Sequence, residues 1–216
     1  MILGRRREHV QHSASVAVAL GILTLALIGP VGASTTTTLD PGRLPQTRAE
    51  PAFDGSLTRQ MRILWRAILS DSSALARNVF FPETAYVHMK TGLLASARTD
   101  YTDRLIGFYN LDLVAYHRLV TAGGPPTLVR VDAVRTDAAW IAPNYCENLI
   151  GYWHLPGVRL VYRHGTTIYS VAVDSLISWR GVWYVVHLGP NPRPRDVGTV
   201  DGYQAGPGRP GPPGGC

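Results

Sequence analysis

Apolar side chains recur every three or four positions up to about residue 126 and every second position after it, and this switch limits what the 216-residue chain can fold into. Leu57, Met61, Leu64, Trp65 and Ile68 fall on one stripe of a helix that ends near Ser70-Asp71-Ser72. Residues 74–79 continue in helical period. Pro82-Glu83 restarts a helix through Ala85 and Tyr86 to Met89-Lys90, since proline is tolerated in a first turn. Asp100 or Thr99 caps a longer helix whose stripe is Leu105, Phe108, Tyr109, Ala115, Tyr116 and Leu119, and Gly123-Gly124-Pro125-Pro126 stops it. Beyond that point Val129, Val131 and Ala133 alternate with Arg130 and Asp132, and Val158, Leu160 and Tyr162 with Arg159 and Arg163. Residues 168–177 and 182–188 are β-branched and aromatic, with Arg180-Gly181 as a tight hairpin and Trp179 and Trp183 flanking it. Helices first and an antiparallel meander afterwards predict an α+β domain, its helices packed on one face of a curved sheet.

Both ends differ from this core. Arg5-Arg6-Arg7, an apolar run from Ala14 to Gly29 and Pro30-Val31-Gly32-Ala33 have the three-part form of a secretory signal, with cleavage expected after Ala33. The rival is a retained anchor, although the run has 16 residues against the ~20 of a spanning helix. No cysteine at the cleavage point allows lipid attachment. Either reading places the rest outside the cytoplasm, secreted or anchored on the outer side of the membrane. The expected organisation is a signal or anchor over 1–33, a disordered Thr/Pro linker over 34–55, the α+β domain over 56–189 and a disordered Gly/Pro-rich tail over 190–216.

The net charge of +6 comes from 21 basic residues, of which only Lys90 is lysine. Without residues 1–33 the balance is 18 basic to 14 acidic, and the arginines are scattered, so the footprint of a nucleic-acid binder is missing.

The final hairpin from Ile177 through Trp179-Arg180-Gly181-Val182-Trp183 to Leu188, following helices, resembles the cone-shaped fold of nuclear transport factor 2-like proteins. More closely, the chain resembles a group of uncharacterised exported proteins of high-GC actinobacteria. That likeness rests on Leu64-Trp65-Arg66-Ala67-Ile68, Phe80-Phe81-Pro82 with Ala85-Tyr86 and Lys90, and Gly151-Tyr152-Trp153-His154-Leu155-Pro156-Gly157 with Arg159-Leu160-Val161-Tyr162. The resemblance implies a fold and an address but no activity, because the cone hosts isomerases, dehydratases and pure binding modules.

In such a cone a pocket opens between sheet and long helix, and three residues are candidates for proton-transfer chemistry there. Asp112 interrupts the apolar pattern of the long helix, which suits an exposed residue better than a carboxylate aimed inward. His187 shares the last strand with Trp183 and Val185 and reads first as a structural histidine, and His117 as a surface one. Lys90 reads first as a cation complementing the end of a short helix. Tyr152, Trp153 and His154 are the densest aromatic group, fit either to pack the sheet or to rim a binding site. Cys146 and Cys216 are the two cysteines. They could bridge within one chain or pair two copies, or Cys146 could be a buried inert thiol. Cys146, His154 and His164 lack a zinc spacing, so no metal or cofactor is expected. These features favour an exported or envelope-associated, non-catalytic binding or assembly module. Its partner would be an envelope protein or an apolar small molecule, with the membrane met only through the N-terminal segment. The alternative is an isomerase or dehydratase using a carboxylate or histidine in the cone.

Overall fold

A computed structural model describes residues 39–212. The signal or anchor over 1–33, the start of the linker and Cys216 lie outside the described residues. Among those described, no helix is long and apolar enough to cross a membrane.

Helix α1 (Gly55–Leu69) begins where the Asp54 carboxylate accepts from the Ser56 amide at 2.7 Å. It buries the expected stripe of Leu57, Met61, Leu64, Trp65 and Ile68, and stops at Asp71, whose φ is 47°. Two short helices follow, α2 (Ser73–Ala76) and α3 (Glu83–Lys90). The long helix begins earlier than Thr99 or Asp100. Ser96 caps α4 (Ala97–Asp100), which runs through a π-helical turn (Tyr101–Leu105) into α5 (Ile106–Thr121). The π turn moves the buried stripe round the axis to Tyr109, Leu113, Tyr116 and Val120, and leaves Ala115 and Leu119 only half-buried.

The six strands form one antiparallel sheet. Its spine is the hairpin of β3 (Tyr152–His164) and β4 (Thr167–Trp179). On one edge β3 pairs with β1 (Thr127–Asp132) and β2 (Ala139–Ile141). On the other, β4 pairs with β5 (Val182–His187) and β6 (Gln204–Ala205). The expected hairpin turn is present, with Arg180 and Gly181 both at positive φ. Its tryptophans are not opposite each other, because Trp179 pairs with Val182 and Trp183 with Ser178. The helices pack on this sheet over a continuous core that includes Met61, Leu64, Tyr116, Leu160 and Val173, so the domain is α+β.

Alternation along the spine slips by one residue at two adjacent places. On β3 the core takes Leu155 and then Val158 and Leu160, and on β4 it takes Val171 and Val173 and then Leu176. The slip falls at Pro156-Gly157, where Gly157 has φ 59°, and opposite it at Asp174-Ser175, beside a register shift against β5. Both sides of the slip line a cavity, His154 and Ile177 on one and Arg159 and Asp174 on the other.

Two segments expected to be disordered have a defined course. Residues 39–54 lie against α3 and the β4–β5 hairpin. Trp179 Nε1 donates to the Pro41 carbonyl at 2.8 Å, Gln46 Nε2 donates to the Ser178 carbonyl at 2.9 Å, and Phe53 meets the Trp183 ring edge-on. Residues 190–206 return across α5 and add β6 to the sheet. The composition misleads there because glycine serves close approach as well as flexibility. A Cβ at Gly198 would overlap the Leu111 carbonyl, and one at Gly208 the Arg159 guanidinium.

The tail is held by Asp112. Far from exposed, this residue is at 0% accessibility inside α5, where its carboxylate accepts from the Gly189 and Thr199 amides, each at 2.9 Å, and pairs with Arg193. Arg193 also stacks over Phe108, 4.4 Å from the ring centre. Asp112→Ala would leave Arg193 buried without a counter-charge. We expect it to lower the urea unfolding free energy by about 3–5 kcal/mol and to speed tryptic cleavage at Arg195. A loss below ~1 kcal/mol would contradict this account of the tail.

Candidate functional site

A cavity of about 820 Å³ lies across the slip in the spine. Helix α3 contributes Tyr86, Met89 and Lys90, the π turn Arg104 and Leu105, and the loop before β3 Cys146, Glu147 and Asn148. The sheet contributes Tyr152, His154, Arg159, Asp174, Ile177 and His187. The returning tail closes the wall with Asp201, Gly202, Gly211 and Pro212.

The cavity is electrostatically divided. Lys90, Arg104, His154 and His187 form one side. Burial lowers the Lys90 ammonium; the nearby Glu147 charge opposes that, and the Arg104 charge adds to it. Its Nζ donates to the Glu147 carbonyl at 2.7 Å, and no carboxylate of the described residues lies within ion-pair distance. Arg104 grips Asp100 through Nε at 2.7 Å and Nη2 at 2.6 Å, while the Tyr86 hydroxyl also donates to Asp100. Those hydrogen bonds outweigh burial and hold the Asp100 carboxyl below its ordinary value. Burial, with the positive charges of Arg104 and Arg193, pushes His187 down to about 4, so its imidazole is neutral at physiological pH. His154 Nε2 is 2.7 Å from Ser175 Oγ.

Asp174 and Asp201 form the other side. Burial and the nearby Asp201 charge raise Asp174 to about 7. Burial also raises Asp201, while Arg159 opposes it. Arg159 is 3% exposed and donates to Ser170 Oγ at 2.6 Å, but its Nε has no hydrogen-bond partner.

The structure separates the residues singled out from sequence. Lys90 and His187 line the cavity together, and Lys90, in the last turn of α3, also donates to the Glu147 carbonyl. Asp112 lies elsewhere, as the tail's anchor. Strand alternation divides the aromatic group. Tyr152 and His154 face the cavity, while Trp153 points to the opposite face, donating to the Arg48 carbonyl at 3.1 Å and meeting Trp140 edge-on. His117 is not a free surface residue, since its Nδ1 lies 2.9 Å from the Ile68 carbonyl. Cys146 is disulfide-bonded rather than an inert thiol. No group of three or more metal-ligating side chains forms among the described residues. The sequence reading passed over Asp174, whose signal is a lone carboxylate in an otherwise apolar β-branched strand. It also passed over Arg104 and Asp201, which carry no such signal.

Compared with models of known protein families, with curated proteins and with solved structures, the chain matches none.

The raised Asp174 has a thermodynamic consequence. From the ordinary carboxylate range up to about pH 7 the folded chain keeps a proton that the unfolded chain has lost, so this group lowers stability as pH rises through that window. His187 acts in the opposite sense between about pH 4 and its ordinary 6.5, where the unfolded chain binds the extra proton. Asp174→Asn removes only the first contribution. Its urea unfolding free energy relative to the parent should therefore improve by at least about 1.4 kcal/mol, the worth of one pK unit, between about pH 4 and pH 8. An unchanged difference across that range would place Asp174 in water.

Proposed function

We propose that this chain is an exported or envelope-associated binding module that takes a small organic molecule, apolar in body and anionic at one end, into the cavity. The observation that carries the reading is the Lys90 side of the cavity. There an ammonium and a guanidinium stand over Met89, Leu105 and Ile177; of the two carboxylates on this side, Asp100 is engaged by Arg104, and Glu147 forms no ion pair among the described residues. An anion entering there would find charge-assisted donors already positioned, and its apolar body a surface to cover. The disulfide at Cys146 supports an oxidising address, as does the three-part form of residues 1–33. The order of helices before an antiparallel sheet supports the cone fold and the likeness to exported actinobacterial proteins.

A second reading is proton-transfer catalysis of the isomerase or dehydratase kind. It is favoured by Asp174, whose carboxyl near 7 could both take and return a proton, beside a neutral His187. Asp112 has no part in it.

Anilinonaphthalene sulfonate, an apolar anion, probes the binding reading. Its fluorescence should saturate at one molecule per chain. Lys90→Met should weaken it about tenfold or more, as expected for a lost charge-assisted contact, and Ser175→Trp, which fills the cavity, should abolish it. Absence of saturable binding, or binding indifferent to both substitutions in folded protein, would overturn the reading.

A further inference from the structure

The Asp174 side of the cavity is built from three neighbouring stretches of chain. Arg159 of β3 pairs with Ala172 of β4, and the Ala172 amide donates to the Asp201 carbonyl of the returning tail at 2.9 Å. The Tyr116 hydroxyl, rooted in α5, accepts from the Asp201 amide at 2.9 Å. Asp174 follows Ala172 by two positions on the same face of the strand. Arg159, Asp174 and Asp201 all line the cavity. The packing around them is close, since a Cβ at Gly202 would overlap the Arg159 guanidinium and crowd Ala172.

These charged groups are left short of partners. Arg159 is 3% exposed, yet among the described residues its guanidinium makes a single hydrogen bond, from Nη2 to Ser170 Oγ at 2.6 Å, and its Nε has none. No ion pair among the described residues includes Arg159, Asp174 or Asp201. The Gly202 amide meets the Asp201 carboxylate, and no hydrogen bond acts on that of Asp174. Neighbouring charges that are buried without pairing are unfavourable unless something between them satisfies both signs. An anion there would meet Asp201, a cation would meet Arg159, and an apolar group would strip water from all three. A neutral hydroxyl avoids each of these penalties, because its O–H donates to a carboxylate while its oxygen accepts from a guanidinium. The Asp174 carboxyl, raised to about 7, keeps its proton below that pH and can donate it to a hydroxyl oxygen, whereas an ammonium has no lone pair to receive it. Two hydroxyls on adjacent carbons would serve all three side chains. Gly157, Gly202 and Gly211 beside them present bare backbone, against which a ring can lie.

We propose that this side of the cavity is a subsite for a neutral polyhydroxyl group, a sugar ring or polyol, held by Arg159, Asp174 and Asp201, so that the molecule taken up is hydroxylated at the end away from its anion. The proposal rests on the binding reading for the anionic end, while the hydroxyl subsite stands on its own three residues.

The test compares two neutral probes on the full chain by isothermal titration calorimetry. n-Hexyl β-D-glucoside joins a sugar ring to a short apolar body, and hexyl triethylene glycol ether keeps the body but replaces the ring by ethers and one hydroxyl. The glucoside should bind one molecule per chain, about tenfold more tightly than the ether. Asp201→Ala and Asp174→Leu should each bring that ratio down towards one, with an unchanged far-ultraviolet spectrum. Asp174→Leu keeps an apolar residue in an apolar strand and supplies a folded variant if Asp201→Ala loosens the tail. Equal affinity of the two probes for the parent protein, or a ratio that the folded variants preserve, overturns the subsite. Saturable glucoside binding without any binding of anilinonaphthalene sulfonate overturns the anionic end and leaves the hydroxyl subsite standing. Sulfonate binding that Lys90→Met weakens, with no preference for the glucoside, does the reverse.

Discussion

A single buried carboxylate holds together the parts on which the cavity depends. Asp112 sits in the apolar stripe of α5, where an unpaired charge would be strongly unfavourable. It is compensated by two backbone amides and one guanidinium, all contributed by residues 189–199. The pairing therefore acts on chain topology more than on net stability, since a buried ion pair contributes little over an apolar replacement while its half-removal is severe. Through it the end of β5 and the returning tail are fixed to the long helix. Asp201 and Gly202 reach the cavity because the chain is anchored a few residues earlier.

The second constraint is the slip in the sheet. An uninterrupted two-residue alternation would keep one face of β3 and β4 against the helices along their whole length. The left-handed backbone at Gly157, opposite Asp174-Ser175, breaks that continuity. On both sides of the break the spine serves the core, through Leu155 and Leu176 and through Val158 and Val173, and on both sides it lines the cavity, through His154 and Ile177 and through Arg159 and Asp174. Asp174 lies at the break, on the same face as Ala172, where burial and the Asp201 charge act on it. The carboxyl consequently holds its proton to about 7, while His187 gives its proton up. Neither residue is unusual in type. Their titration follows from where the backbone irregularity leaves them.

Much of this architecture was legible in the sequence wherever periodicity is set by burial alone. The α1 stripe from Leu57 to Ile68 and the Arg180-Gly181 hairpin follow from local pattern and turn chemistry. The π turn at Tyr101–Leu105 escaped, because inserting one residue per turn shifts the helical phase without a compositional mark. Asp112 read as exposed because a single sequence does not reveal amides arriving from residues 77 and 87 positions away. The tail read as disordered because glycine and proline lower local order in general. Here Gly198 and Gly208 are small so that Leu111 and Arg159 can be close. Tyr152, Trp153 and His154 were found as a group, but only strand geometry assigns two of them to the cavity and one to the far face.

The arm over residues 39–54 reaches α3 from behind. Asp40 accepts from the Thr84 hydroxyl at 2.9 Å, and Gly42 lies so close to Thr84 and Ala85 that any side chain there would collide. On its other side the same short helix supplies Tyr86, Met89 and Lys90. The arm is therefore a buttress. A chain trimmed to 56–189, the span that looks self-sufficient by hydrophobic pattern, would lose that brace and the tail together, and its pocket would be open at the back as well as the front.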